Sequence, residues 1–396
     1  MDERLLAIAI PVFFALLAAE VAFSWRRRRR LYRLHDTISN LGCGVGMVAT
    51  SLWFNLVVAL AYGWVSERFA LLRLPVGSAW TWLGGLLLID LCHYWFHRAS
   101  HRINFFWAAH AVHHQSDEYN LSAALRQSWL EPLWSLPFYL PLALLGLPLP
   151  VFLAMHAIHT IYQFWIHTRV IDRLGPLELF LNTPSHHRVH HAIEPEYIDR
   201  NYAGILILWD RLFGTFEPER RPPHYGTVAP FKSWNPLRAN AHEWARIFTY
   251  AAASRQATER LWSLFAPPEW RPERLGGTVT IPEVDAGRKV PWDTSLGLRR
   301  DLYVLLQFLV VTAGATALLL LAPSLAWWRV GLGIAWVVGT LGVIGGLMDR
   351  AAWSRRAEEG RVLATIPIAA ALAGIPGGVL ATLLAALSRK WLGKER

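Results

Sequence analysis

Long apolar runs separated by charged stretches dominate the hydrophobic pattern of the chain. Six runs have close to the roughly 20 apolar residues that an α-helix needs to cross a bilayer. They are residues 5–25, 41–65, 79–96, 302–321, 325–348 and 362–387. Residues 133–166 are too long for one crossing, and the Leu-Gly-Leu-Pro-Leu-Pro break at 145–150 predicts a helical hairpin that dips into the membrane and returns. The pattern predicts an all-α, polytopic integral membrane helical bundle.

The arginines at 26–30 indicate how this bundle is oriented. They follow the first apolar run, whereas a secretory signal carries its positive charge before the run, so we expect an uncleaved first span with its N-terminus outside. Positive loops tend to stay in the cytoplasm, so the next loop is predicted to be cytoplasmic; a nucleic-acid patch is the alternative interpretation. Two further crossings and the hairpin then place His97 and His167 together on the cytoplasmic side.

Composition supports the membrane assignment. Of the 396 residues, 54% are hydrophobic and 17% are charged, and the mean hydropathy of +0.26 excludes a disordered chain. Cys43 and Cys92 are too few for a disulfide scaffold. The net charge of +10 is compatible with binding to nucleic acid or to an anionic membrane surface, and the apolar runs favour the membrane.

Changes in composition divide the chain into four predicted parts. These are N-terminal transmembrane segments at 1–78, a histidine-rich catalytic domain at 79–220, a cytoplasmic linker region at 221–300 and a C-terminal transmembrane region at 301–396. In the last part, the Gly-Ile-Pro-Gly-Gly sequence at 374–378 either kinks one helix or divides a short re-entrant pair. The role of this part is left open between a lipid-facing scaffold and a dimer surface.

Three clusters of histidine interrupt the apolar background. His97 and His101 are four residues apart, and the pattern HxxHH occurs twice, at 110–114 and at 187–191. On a helix, these spacings place the imidazoles on one face, where two of them can reach the same ion. The eight clustered histidines are His97, His101, His110, His113, His114, His187, His190 and His191.

We infer that metal coordination is the cause of this clustering. Neutral imidazole binds iron, zinc, copper and nickel, and eight histidines exceed the four ligands of a tetrahedral zinc site, so two ions are expected. Each cluster follows an apolar run, which places it within reach of the alkyl chain of a bilayer lipid. Isolated histidines such as His35, His224 and His242 are expected to be structural, and His159 is left open between the two roles.

Further motifs surround the clusters. DLCHYWFHR at 90–98 leads into the first cluster, and NLSAALRQS at 120–128 follows the second. YQFWIHT at 162–168, LGPLE at 174–178 and NTPSHH at 182–187 lead into the third, and DRNYAG at 199–204 and WDRLFGTF at 209–216 follow it. In order and spacing, these strings resemble the fatty acid hydroxylase/sterol desaturase superfamily of integral membrane di-iron enzymes, and within it the ether-lipid-cleaving alkylglycerol monooxygenase branch.

The resemblance implies which metals and ligands form the site. It implies that the eight clustered histidines bind two iron ions and that His167 is a ninth ligand. Asp117, Glu118, Asp199 and Asn201 match positions from which polar groups would hold the outer imidazole nitrogens. For Asp117 and Glu118, a solvated surface position is the alternative.

Two positions depart from the family pattern. His159 stands where we expect an amide, which leaves a further ligand open, and Asp117 stands where we expect a glutamate, which shortens the reach of any carboxylate ligand. Arg126 and Arg188 are candidates for binding a lipid headgroup or an anionic cofactor, with a positive-inside role as the alternative.

These observations predict an enzyme that hydroxylates an unactivated C–H bond of a membrane lipid with O₂. The branch resemblance implies hydroxylation beside an ether oxygen, which gives a hemiacetal that collapses to an aldehyde, with tetrahydrobiopterin as the external reductant. The chain has no flavin, NAD or haem fingerprint, so the electron donor is expected to be external. The alternatives are a sterol or fatty acid hydroxylase or desaturase, a membrane metal transporter and a haem electron carrier. No nucleic-acid partner is expected, and the oligomeric state is left open.

Overall fold

The computed structural model describes residues 3–283, 291–294 and 296–392, with the side chains at 3–11, 387 and 389–392 outside the description. These residues form helices and no β-strand, apart from two isolated backbone bridges. The α-helices among them are α1 (Glu3–Arg26), α2 (Leu34–Phe69), α3 (Ala79–Arg102), α4 (Asn104–His114), α5 (Glu131–Leu145), α6 (Leu149–Trp165), α7 (Pro184–His190), α8 (Leu208–Leu212), α9 (Pro236–Ala253), α10 (Ala257–Phe265), α11 (Leu298–Leu321), α12 (Trp327–Met348) and α13 (Ser354–Leu392).

Four of these helices, α2, α11, α12 and α13, are long and apolar enough to cross a membrane. α1 covers the predicted first span, although its first side chains lie outside the description. α3 forms over residues 79–96 as predicted, but Asp90 and His93 interrupt its apolar stretch, and it is not among the four. The prediction of an all-α membrane bundle is confirmed.

The predicted hairpin between residues 133 and 166 is also confirmed, as α5 and α6. Its tip is Gly146, whose φ of +94° lies in the left-handed region that glycine adopts without strain. A Cβ atom at this position would lie 2.0 Å from the carbonyl oxygen of Leu72. The Leu71 N–H also donates to the Leu144 carbonyl at 2.7 Å. The loop that follows α2 therefore holds the hairpin tip.

α13 resolves the alternative at 374–378 in favour of a helix pair that folds back on itself. The backbone leaves the helical conformation at Ala373 and Gly374, where Gly374 has a φ of +68°. The two arms then lie together, because Gln307 of α11 donates to the Ser388 hydroxyl at 3.0 Å and accepts from Arg361 at 2.6 Å. In a straight helix, 27 residues would separate Arg361 and Ser388 by about 40 Å.

The C-terminal helices α11 and α12 belong to the same core as α2. Ile38 and Ala49 of α2 pack with Val304 of α11 and with Val337 and Leu341 of α12. Contacts outside the core align the helix ends. His35, at the start of α2, lies 2.8 Å from Asp301 of α11. The starts of α2 and α11 and the end of α12 therefore lie at one end of the bundle, and the α5–α6 tip lies at the other end of α2.

Close packing of α2 against the segment after the second histidine cluster leaves no room for a side chain at Gly44. A Cβ atom there would lie 2.6 Å from the backbone oxygen of Leu125. We therefore expect Gly44→Ala to destabilise the protein by about 1–3 kcal/mol, the usual cost of overpacking. Thermal unfolding in detergent measures the change.

Gly84 of α3 is the matched control, because nothing lies within 4 Å of a Cβ atom there. Gly84→Ala should leave stability unchanged or raise it by up to about 1 kcal/mol through helix propensity. A Gly44→Ala protein that unfolds at or above the wild-type temperature would contradict the packing described for α2.

Candidate metal centre

Four segments bring the nine predicted ligands together at one end of the bundle. The last two turns of α3 carry the first cluster, α4 carries the second, and α7 with the residue after it carries the third; His167 follows α6. The nine histidines form two groups, and within each group one nitrogen per ring lies within 4.8 Å of all the others. The five-histidine group contains His97, His101, His110, His114 and His190, and the four-histidine group contains His113, His167, His187 and His191.

The two groups are buried and lie side by side, with rings of one stacked against rings of the other. No histidine in them is more than 9% exposed. The rings of His114 and His191, which belong to different groups, stack with their centroids 4.3 Å apart, and those of His187 and His190 stack at 5.2 Å. Two ions held by these groups would therefore be near neighbours, out of contact with bulk water.

Backbone carbonyls fix the orientation of four of the rings. In each, the outer nitrogen Nδ1 lies within hydrogen-bonding distance of a carbonyl oxygen, which only accepts, so Nδ1 carries the proton and Nε2 keeps its lone pair. These contacts join His97 to Tyr202 at 2.7 Å, His113 to Arg126 at 3.1 Å, His167 to Gln163 at 2.7 Å and His190 to Arg200 at 2.9 Å.

The pair formed by His113 and His167 shows why the centre fits a cation. Both rings donate Nδ1–H to carbonyls, so their Nε2 atoms, 3.1 Å apart, point lone pairs at each other. Burial lowers the pKa of His113 to about 4, so a shared proton does not relieve the contact at neutral pH. A metal ion relieves it, because both lone pairs can then bind the ion.

The remaining inner nitrogens have the spacing of ligands around one ion. Nε2 atoms of neighbouring rings are 2.9 and 3.2 Å apart in the five-histidine group and 3.0 to 3.2 Å apart in the four-histidine group. Two imidazole–metal bonds of about 2.1 Å at a right angle place their nitrogens about 3.0 Å apart. In the described part of the chain, the buried Nε2 atoms of His101 and His190 have no hydrogen-bond partner. The donor set therefore fits metal ions.

The loop after α7 supplies two of the four carbonyls. Asp199 and Asn201 both have positive φ, 61° and 54°, and Arg200 and Tyr202, which follow them, direct their carbonyls at the centre. The Asn201 side chain holds this strained backbone. It donates to the carbonyls of His186 and Glu217 at 3.0 and 2.7 Å and accepts from the Glu217 N–H at 2.9 Å.

Asn201, Asp117 and Glu118 have partners other than the outer imidazole nitrogens that the sequence predicted for them. Asn201 bonds to backbone, as described above. Glu118 pairs with Arg33 at 3.0 Å and Arg169 at 2.7 Å. Asp117 accepts from the Trp292 N–H at 3.1 Å. Asp199 does approach a ring of the centre.

Asp199 lies between an imidazole and a cation. Its carboxylate is 3.8 Å from Nδ1 of His101 and forms an ion pair with Arg102. Backbone carbonyls, rather than the predicted carboxylates, accept from the outer imidazole nitrogens. Sequence patterns do not reveal such partners, because every residue has a backbone carbonyl.

Arg126 and Arg188 are internal supports, so the prediction that they bind a headgroup or a cofactor is wrong. Arg126 is 2% exposed and donates to the carbonyl of Val112 at 2.7 Å and to Ser39 and Gln115 at 2.8 and 2.9 Å. Its own carbonyl accepts from His113, as above. Buried Arg188 pairs with Glu219 at 2.7 Å and donates to nearby carbonyls.

His159 belongs to neither histidine group. Its Nε2 lies 2.9 Å from the carboxylate of Asp90, a residue whose role the sequence motif did not reveal. Asp90 also accepts from the N–H groups of Ile205 and Leu206 at 2.7 and 2.9 Å. A buried acid inside an apolar run was the signal that could have identified this link between α3 and the loop after α7.

Comparison with known proteins agrees with this architecture. The fatty acid hydroxylase family matches residues 82–215, which contain the nine histidines of the two groups. Alkylglycerol monooxygenase of Homo sapiens is 39% identical over 345 residues, which are 86% of this chain and 77% of that protein. The Danio rerio protein of the same name is 40% identical over 349 residues, with the same coverage. Ornithine lipid hydroxylase of Rhizobium tropici is 35% identical over 139 residues, 35% of this chain and 42% of that protein. No solved structure matches the chain.

A helical membrane bundle with a buried polyhistidine centre defines the class of integral membrane lipid hydroxylases. Within that class, the chain belongs to the alkylglycerol monooxygenase family of the fatty acid hydroxylases. The predicted resemblance is confirmed, and the protein is an oxygen-using monooxygenase of the membrane that hydroxylates lipid.

Because Asn201 holds the loop that orients two rings, Asn201→Ala should disturb both stability and the centre. The variant leaves buried backbone groups unsatisfied, at about 1–3 kcal/mol each. Alanine also tolerates the left-handed region less well than asparagine does, which adds to the loss. We expect a loss of at least about 2 kcal/mol, measured by thermal unfolding, together with reduced metal content.

The neighbouring variant Arg200→Ala is the control. It keeps the carbonyl that His190 contacts and removes only a side chain whose hydrogen bond to the Gly214 carbonyl is 3.5 Å long. It should retain wild-type stability and metal. Equal losses in the two variants would show that the Asn201 side chain has no special role.

Proposed function

We propose that this protein is a di-iron monooxygenase that cleaves the ether bond of alkylglycerol lipids. The two buried histidine groups carry the proposal: each offers only imidazole nitrogens, the donors that suit iron, and together they exceed what one ion requires. His97, His101, His110, His114 and His190 would hold one iron, and His113, His167, His187 and His191 the other. Iron bound there would supply the activation of O₂ that cleavage of an unactivated C–H bond requires.

The protein's own contribution is to orient the ligands and to exclude water. Burial keeps the rings neutral. The carbonyls that accept from Nδ1 hold the rings so that Nε2 points inward. Burial of all nine rings prevents side reactions of a strong oxidant with solvent. The position of the centre at the end of apolar helices would let a lipid present its chain from the bilayer while its headgroup stays at the interface.

The substrate class comes from the relatives, which are named alkylglycerol monooxygenases. One O₂, two electrons and two protons would convert the C–H bond beside the ether oxygen to C–OH and release one water. The resulting hemiacetal would break its C–O bond to give a fatty aldehyde and a glycerol lipid. We propose tetrahydrobiopterin as the external two-electron donor and the cytoplasm as the side of the membrane that the centre faces.

Turnover of a defined ether lipid tests the substrate. Purified protein given a 1-O-alkylglycerol, tetrahydrobiopterin and air should form one fatty aldehyde per O₂ consumed, detected by chromatography. The matching monoacylglycerol, in which an ester replaces the ether, should give no aldehyde. Oxidation of a sterol or a free fatty acid without aldehyde from the alkylglycerol would contradict the substrate assignment and favour the alternative hydroxylase or desaturase.

Removal of one ligand from each group tests the metal assignment. His113→Ala and His190→Ala should each lower activity at least about 100-fold, because an essential ligand is lost, and should lower the iron content while the protein still inserts in the membrane. Metal analysis and the turnover assay measure both effects.

His242→Ala is the matched control, because this histidine lies outside both groups and has a 38% exposed side chain. It should keep wild-type iron and turnover. Full iron content and turnover in both His113→Ala and His190→Ala would refute the assignment.

A further inference from the structure

Two segments on either side of α7 expose a large apolar surface. They are residues 174–181, before the helix, and residues 206–213, which include α8. Five of their residues are between 40% and 68% exposed: Leu177, Leu179, Phe180, Leu208 and Leu212. We call these five residues the apolar shelf and propose that the shelf is immersed in the acyl chains of the bilayer that holds the protein. The proposal does not depend on the reaction proposed above.

The two segments form one continuous surface. Leu181 and Leu206 pair through an isolated backbone bridge. The Arg211 guanidinium also donates to the Glu178 carbonyl at 3.2 Å, which joins α8 to the segment before α7. Proteins in water rarely expose an apolar patch of this kind unless it has a partner.

The acids of these segments turn inward while the leucines face outward. Glu178 accepts from the Leu174 N–H at 3.0 Å and from the Ser185 hydroxyl at 2.8 Å. Asp210 is fully buried and accepts from backbone N–H groups of the loop after α7. A surface in contact with water normally shows its charges and buries its leucines. The shelf has the reverse arrangement, which suits contact with hydrocarbon.

Arg211 is the single cation in the sequence of these two segments, and its charge is held against the protein. Its guanidinium carbon lies 3.9 Å from the centre of the Phe216 ring, in addition to the bond to the Glu178 carbonyl. Arginines at a membrane interface lie in this way, with the stem along apolar surface and the head in a polar environment. Arg211 is therefore compatible with a lipid-facing shelf.

Contacts with α3 place the shelf at the depth of the bilayer. Asp90 of α3 accepts from the indole N–H of Trp209 at 2.9 Å, and the rings of Trp95 and Phe213 lie 4.9 Å apart. α8 therefore lies beside residues 90–95, inside the apolar run of α3. Because a helix rises 1.5 Å per residue, Trp95 is about 10 Å below the end of α3.

The shelf also continues a lipid-facing strip of α3. Leu83, Leu87 and Trp95 are exposed and are separated by multiples of four residues, so they lie along one side of that helix. This continuity favours acyl chains over a partner protein as the occupant. Immersion of the shelf would anchor the segments before and after α7, the helix that carries the third histidine cluster.

Site-directed spin labelling tests the proposal on the full-length protein in phosphatidylcholine vesicles. Cys43 and Cys92 are replaced by alanine, and a nitroxide is attached at Phe180→Cys or at Leu212→Cys. Both positions are exposed, so the replacements leave the core intact and give two independent readings. Collisions of the label with O₂, which concentrates among acyl chains, are compared with collisions with a polar nickel chelate in water.

Two reference positions calibrate the measurement. Leu83→Cys reports the exposed face of α3, and Arg221→Cys reports a polar surface, because Arg221 is half exposed and pairs with Glu196. We expect the ratio of O₂ to nickel collisions at both shelf positions to match that at Leu83→Cys. It should exceed the ratio at Arg221→Cys at least about tenfold, because polar complexes are excluded from hydrocarbon.

Two results would overturn the proposal. Shelf labels with the collision ratio of Arg221→Cys would show that the shelf faces water. Shelf labels that collide rarely with both reagents would show that a second copy of the chain or another protein covers the shelf in place of lipid.

Discussion

The hydrogen bond from an outer imidazole nitrogen to a backbone carbonyl is the interaction on which the centre depends. It decides which nitrogen of each ring carries the proton, and so it points the other lone pair inward. His97, His113, His167 and His190 are held in this way. At His113 and His167 the result is two opposed lone pairs 3.1 Å apart, an arrangement that a cation stabilises and that is otherwise repulsive.

Much of the surrounding structure serves to place those carbonyls. The Asn201 side chain lies within the strained loop after α7 and holds it by hydrogen bonds to backbone groups. Asp210 holds the same loop by accepting from the N–H groups of Tyr202 and Ala203, both at 2.8 Å. Asp90 ties the continuation of this loop to α3. On the other side, Arg126 joins α4 to α2 and contributes its own carbonyl. Buried polar groups of this kind are costly unless every one is paired, and their concentration around the centre follows from its need for fixed ring orientations.

The sequence predicted the features that depend on local patterns. Apolar run length predicted the helices, the Gly-Pro break at 145–150 predicted the α5–α6 hairpin, and HxxHH spacing predicted which imidazoles share a helix face. The fold-back of α13 stayed undecided, because one positive φ at Gly374 distinguishes a kink from a hairpin and glycine permits both. Arg126 was misinterpreted because burial depends on distant segments, and the carbonyl partners were not predictable because every residue has a carbonyl.

X-ray absorption at the iron edge of the purified protein tests the central claim most directly. We expect two irons per chain, each in a first coordination shell dominated by imidazole nitrogen, with the outer-shell scattering that histidine rings produce. One iron or fewer per chain in fully active protein, or a first shell built mainly from sulfur or carboxylate oxygen, would contradict it.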